Sequence, residues 1–156
     1  MANEDLARQL NAVQAYFEKT VSCFEEADGE FAPKEGQFTV AQQIAHTAQT
    51  IEWFFEGAFR PQGFNMEFEE LEGEVRAITS LEDAMAWFGS AMQEAHAAVE
   101  GSAPDAWDEP IRGKLMAGMP RRAIVSGIAD HTAHHRGALT VYARLLDREP
   151  PMPYGE

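Results

Sequence analysis

The sequence predicts an all-α protein: one domain over residues 1–156, built as a four-helix bundle. Long segments repeat apolar residues at three- and four-residue steps, the period of an amphipathic helix. No stretch alternates apolar and polar residues for long enough to build a sheet. The chain has 156 residues, 45% apolar and 24% charged, an ordinary make-up for one packed core.

The first helix is expected from Asn3 to about Glu26, with Leu6, Leu10, Val13, Phe17, Val21 and Phe24 forming one narrow seam. Asn3 suits the N-cap, and Glu4 and Asp5 suit the positive end of the helix dipole. Residues 28–38 contain two Gly and a Pro and read as a loop. A second helix opens at Thr39, where Thr39 and Gln42 fit a reciprocal capping box. Its core face is Val40, Ile44, Ala48, Ile51 and Phe55, and it ends near Gly57 to Phe59. Residues 60–79 mix Pro and Gly with aromatics. They read as a crossover with a short helical turn near Glu67 to Val75 that is suited to a pocket wall or lid.

A third long helix starts at a Ser80 cap and presents Leu81, Met85, Phe88, Met92, Ala95 and Val99 before closing at Gly101. A Pro- and Gly-punctuated connection follows, without a strand. The last helix runs from Pro120 to Arg148, with Ile124, Ile128, Leu139, Tyr142, Leu145 and Leu146 on one side. The prolines after Arg148 stop it.

Composition excludes several partners. A net charge of −14 and a pI near 4.7 oppose binding to a nucleic-acid backbone or an anionic membrane. No run of about 18 apolar residues exists to span a membrane, and the N-terminal MANEDLARQL has no signal-like apolar core. The single cysteine, Cys23, excludes an internal disulfide and a Cys-rich zinc site. A cytoplasmic location fits these features.

Chemistry concentrates in the histidines. His131 and His135 fall inside the apolar arc of the last helix, roughly 40° apart on the wheel. Charged imidazoles are costly there, and neutral ones need partners for both ring nitrogens. Their i,i+4 spacing suits one metal ion. Two ligands leave a divalent ion under-coordinated, so another helix must supply a third. His46, in mid-helix beside Thr50 and Trp53, is the preferred candidate, and His96 competes for the role. His134 projects to the side of His131 and reads as a bundle-edge residue or an alternative ligand. Asp130 is placed either to orient a ring or to face solvent, and Arg136 either to bind an anionic group or to pair with a carboxylate. Trp53, Arg136 and Tyr142 are the candidates for a substrate pocket.

Two metal classes are excluded by the letters. A zincin needs Glu after its first His, and position 132 is Thr. A di-iron carboxylate bundle needs Glu three residues before each His, whereas positions 43 and 128 are Gln and Ile. What remains is a mononuclear three-His site with positions open to water or substrate. All-imidazole ligation suits zinc or nickel and leaves the ion's full charge to acidify a bound water or thiol.

A His on the second helix followed by His131-Thr132-Ala133-His134-His135-Arg136-Gly137, with a Pro153-Tyr154-Gly155 tail, resembles the DinB-like (damage-inducible, YfiT-type) family. The resemblance extends over essentially the whole chain. It implies an up-down-down-up bundle with a long crossover. It also implies a divalent metal on His46, His131 and His135, and a homodimer. Where its members have an assigned activity, this is mostly metal-dependent transfer or hydrolysis involving low-molecular-weight thiols. Position 138, often Gln in that motif, is Ala here, which points to a different substrate. The functions carried forward are a metal-dependent thiol S-transferase or hydrolase acting on a small molecule, a stress-response dimer whose metal is structural, and a helical interaction protein without metal.

Overall fold

The apolar seams read from the sequence become long helices packed around one core. The computed structural model describes residues 2–155. Its helices are α1 (Ala2–Val21), α2 (Val40–Phe59), α3 (Phe68–Arg76), α4 (Leu81–Gly101) and α5 (Ala123–Leu145), with single 3-10 turns at Glu26–Asp28 and Pro104–Trp107. Among the described residues there is no strand, only an isolated bridge between Pro110 and Pro120. Two of the three expected caps form: Thr39 and Gln42 exchange bonds of 3.1 Å and 3.1 Å, and Ser80 Oγ accepts the Asp83 N–H at 3.0 Å.

The order of the helices follows from which ends meet. Neighbours in the ring are α1–α4, α4–α2, α2–α5 and α5–α1. Helix α4 runs against α1, because Asn3 bonds Val99 O and Ser102 O, Phe17 stacks on Phe88, and Glu26 caps Leu81 and Glu82. Helix α5 runs with α1, placing Arg136 over Tyr16 and Arg148 on Glu25. Helix α2 runs against α5, since Gln43 meets Tyr142 and Arg121 reaches Ala58 O. The bundle is therefore up-down-down-up. Helices α2 and α4 are parallel neighbours, and parallel neighbours cannot be joined by a tight turn. The crossover containing α3 makes the connection. Gln49 on α2 fixes it by donating to Leu71 O and Glu74 Oε2.

The structure corrects four boundary expectations. Helix α1 stops at Val21 rather than Glu26: Ser22 and Cys23 turn their side chains back onto Lys19 O and Thr20 O, and the backbone tightens to an i→i−3 bond at Phe24. Asn3 lies within the helix rather than at its cap, and its amide covers the orphan carbonyls of α4 instead. Helix α5 begins at Ala123, because the N–H groups of Arg121 and Arg122 are taken by Glu109 O and Trp107 O in the preceding connection. It ends at Leu145, with Asp147 in the left-handed region at φ 56°. Leu145 itself is exposed, at the edge of the stripe where it was expected to be buried.

Arg148 is held outside the helix by an ion pair with Asp28, which is buried beneath the end of α5. Burial pushes the Asp28 carboxyl up, but the Arg148 guanidinium and the Glu25 N–H outweigh it and hold the carboxyl below its ordinary value. A depressed folded value means the unfolded state binds more protons through this range. The stabilisation is complete above the unfolded value, about 3.9, and is lost as pH falls through the folded one. Asp28→Asn is therefore expected to lower the melting temperature at pH 7 and to flatten its decline between pH 5 and pH 3, as read by thermal circular dichroism.

Candidate metal centre

Because α2 and α5 are antiparallel neighbours, a residue near the start of α2 faces the middle of α5. His46 sits there, opposite His131 and His135, one helical turn apart. The three Nε2 atoms converge: His46 to His131 is 3.2 Å and His131 to His135 is 3.1 Å. Their ligand atoms lie within 4.8 Å of one another. Tetrahedral ligands about 2.05 Å from one ion stand about 3.3 Å apart, so the spacing fits.

The hydrogen bonds around His135 fix its tautomer. Phe38 O can only accept, so Tyr142 O–H donates to it at 2.9 Å. Tyr142 O is then the acceptor for Gln43 Nε2 at 3.2 Å, which turns Gln43 Oε1 towards His135 Nδ1 at 2.6 Å. His135 must carry its proton on Nδ1, and its Nε2 lone pair faces the cluster. Such outer contacts orient imidazole ligands at metal sites.

Burial keeps the cluster neutral. It lowers His46 despite the nearby Glu72 carboxylate. With the neighbouring imidazoles it brings His131 to about 4 and His135 to about 3. Neutral imidazoles are the form a metal needs, yet they leave the cluster short of protons. His135 Nε2 has none to give, so one proton on His131 would have to serve both short contacts as a divided, weakened bond. A second imidazole proton would clash. A cation among the three lone pairs satisfies all of them at once, and the donor set is therefore suited to a divalent ion.

Beside the cluster opens a cavity of about 390 Å³, bounded by His46, His131, Trp53, Phe54, Phe68 and Glu72, among others. Two glycines admit its aromatic wall. A Cβ on Gly127 would stand 2.8 Å from the Phe54 ring, and one on Gly57 would overlap Phe64, the ring against which Trp53 packs at 4.5 Å. Trp53 is fixed from the other side by its N–H bond to Asn65 O at 2.7 Å.

The structure brings His46, His131 and His135 together and places Trp53 in the cavity wall. Tyr142 is not in that wall; it is buried behind His135, where its hydroxyl holds Gln43. Arg136 lies outside that wall and lines a second cavity with Tyr16 and Tyr154. It lies 100° round the helix from His135, over Tyr16 at 5.9 Å and bonded to Tyr154 Oη at 2.9 Å, between α5 and α1. His96 is remote from the cluster and contacts Gln14 at 3.3 Å. His134 is exposed, edge-on to His135. The role of orienting a ring falls to Gln43 rather than the exposed Asp130. Gln43 precedes His46 by three residues, on the same side of α2. That spacing was the available signal, but a glutamine there reads as an ordinary polar residue.

An up-down-down-up helical bundle with three convergent imidazoles on its second and last long helices defines a bundle protein with a candidate metal centre. The chain belongs to the DinB superfamily, whose family model matches residues 9–139. Among solved structures, an uncharacterised protein from Clostridium difficile 630 is 10% identical, with a TM-score of 0.74 over 92% of this chain and 96% of that one. YfiT from Bacillus subtilis, described as a probable metal-dependent hydrolase with an unusual four-helix bundle topology, is 13% identical. Its TM-score is 0.69 over 93% of this chain and 87% of that one. The colibactin self-resistance protein ClbS, solved in complex with a dsDNA, is 18% identical, with a TM-score of 0.69 over 91% and 95%. At these identities the likeness establishes the fold. The ClbS complex shows that a protein of this fold can bind DNA, which runs against the expectation, drawn from net charge, of no nucleic-acid partner. No curated protein matches the chain in sequence. No helix among the described residues is long and apolar enough to cross a membrane.

Proposed function

We propose that the chain is a divalent-metal-dependent enzyme acting on a small molecule, by hydrolysis or by transfer of a low-molecular-weight thiol. His46, His131 and His135 hold the ion. The observation that carries this reading is the convergence of three neutral ring nitrogens beside an apolar cavity. When bound, a divalent ion with no carboxylate ligand supplies Lewis acidity and lowers the pKa of a water or thiol brought to it. Zinc and nickel both suit an all-imidazole donor set.

The protein's own residues divide the remaining work. Gln43 and Tyr142 hold His135 in one tautomer. Trp53, Phe54 and Phe68 shelter the site from water and hold the organic body of the substrate. The description of YfiT favours hydrolysis, and the family resemblance adds thiol transfer. A net charge of −14 disfavours nucleic acid as the substrate. The same reading includes a homodimer in the cytoplasm.

A second reading is favoured by the ligands' origin on two helices: the ion ties α2 to α5 and contributes folding free energy only. Chelation, followed by reloading with zinc or nickel, separates the two. Hydrolysis of neutral aryl esters, or conjugation of thiols to electrophiles, should vanish on chelation and return on reloading. Reloaded protein that holds one ion and turns over neither class, yet melts higher than the metal-free form, would establish the structural reading instead.

A further inference from the structure

We infer that the cavity beside the histidines selects small molecules with an aryl or alkyl body and a neutral or cationic head, and rejects anionic ones. This rests on the proposed reading of the same site and names its substrate class. The inference comes from accounting for every side-chain donor in the wall outside the imidazoles. Trp53 Nε1–H is spent on Asn65 O at 2.7 Å, and Thr50 Oγ1–H on His46 O at 2.8 Å. Both amide protons of Gln49 are spent, on Leu71 O at 2.9 Å and on Glu74 Oε2 at 3.0 Å. The other wall residues are aromatic or aliphatic, apart from Glu72.

What the wall still offers is acceptors: Glu72 Oε2, Gln49 Oε1 and the lone pairs of Thr50 Oγ1. A sulfonate or another anion that ligates metals poorly would lose its water here and find no side-chain donor except the imidazoles. A hydroxyl or amine would find acceptors, and a cation would find aromatic faces as well.

Away from the ion that the three histidines would hold, the fixed charge of the wall points the same way. No Lys or Arg lines the cavity. The nearby cation, Arg76, lies over the Phe38 ring and is occupied by Glu72 Oε1, Gly36 O and Gln37 O. Against it stand two carboxylates, Glu72 and Glu74. Phe68, 55% exposed, extends the apolar surface to the mouth. The volume, about 390 Å³, lies at the small end of the roughly 300–1,000 Å³ usual for small-molecule sites.

The test uses three probes with one body and heads that ligate metals poorly: 1-naphthylmethanol, (1-naphthylmethyl)trimethylammonium and 1-naphthylmethanesulfonate. Binding to the protein as purified is read by tryptophan fluorescence and calorimetry, in about 0.5 M salt to screen the overall charge. The alcohol and the ammonium should bind at least tenfold more tightly than the sulfonate. Glu72→Lys, an exposed change on α3, should shrink that gap, and Phe68→Ala should weaken all three probes by a similar factor. Equal or tighter sulfonate binding, no binding by any probe, or indifference to Phe68→Ala would overturn the inference. Metal content, measured on the same samples, reports separately on the three-histidine reading. A metal-loaded protein without head-group selectivity sinks only the substrate class, and a selective cavity without metal sinks only the metal centre.

Discussion

His131→Ala is expected to lower divalent-metal affinity by about two to three orders of magnitude. The estimate follows from sharing the roughly 10–16 kcal/mol of a four-ligand zinc site among its ligands, about 2.5–4 kcal/mol each. His131 is the largest loss among the three because its Nε2 lies next to both of the others, at 3.2 Å and 3.1 Å. Removing it leaves only His46 and His135, on different helices with ring centroids 4.6 Å apart, as ligands. The fold should survive, since His131 is only partly buried and borders an existing cavity. Calorimetric titration with zinc beside far-ultraviolet circular dichroism checks both halves. Affinity within threefold of wild type, in a helical protein, would remove His131 from the ligand set.

Gln43→Leu should cost about 10–100-fold in metal affinity, the usual penalty for losing a partner that orients an imidazole ligand. The substitution keeps the side chain's bulk but deletes both the acceptor for His135 Nδ1–H and the donor to Tyr142. His135 can then rotate or take the other tautomer, which puts a proton where the ion must sit. Gln43→Glu keeps the acceptor, and Tyr142 can turn its hydroxyl to meet it, so affinity should recover to within a few-fold. Tyr142→Phe leaves the Gln43 amide free to flip and should fall between the two. A merely structural Gln43 would change the melting temperature of all three variants without this ranking in metal affinity.

Much of this was legible in the sequence. The seams Leu6 to Phe24 and Leu81 to Val99 are set by the helical period alone, and the Thr39 and Ser80 caps by local chemistry. The pairing of His131 with His135 was visible because one turn of helix brings them together. Adding His46 required a second helix, and the wheel shows only that His46 lies off the core face. The contacts that sequence reading missed are long-range. Asp28 with Arg148 and Asn3 with Val99 join residues about a hundred positions apart, and no local period encodes them. Gln43 was in view only as a departure from a di-iron pattern. Its role depends on a carbonyl, Phe38 O, whose polarity propagates through Tyr142. Arg136 was placed by its neighbourhood in sequence, whereas one residue along a helix is a 100° rotation, enough to turn it from the α2 side of α5 towards α1.

The most direct measurement is elemental analysis of purified wild-type protein beside His46→Ala, His131→Ala and His135→Ala. One divalent ion per chain in the wild type, reduced to background in all three variants, is the result this account requires. A wild type that carries no ion after incubation with zinc or nickel, or variants that keep a full complement, would contradict it.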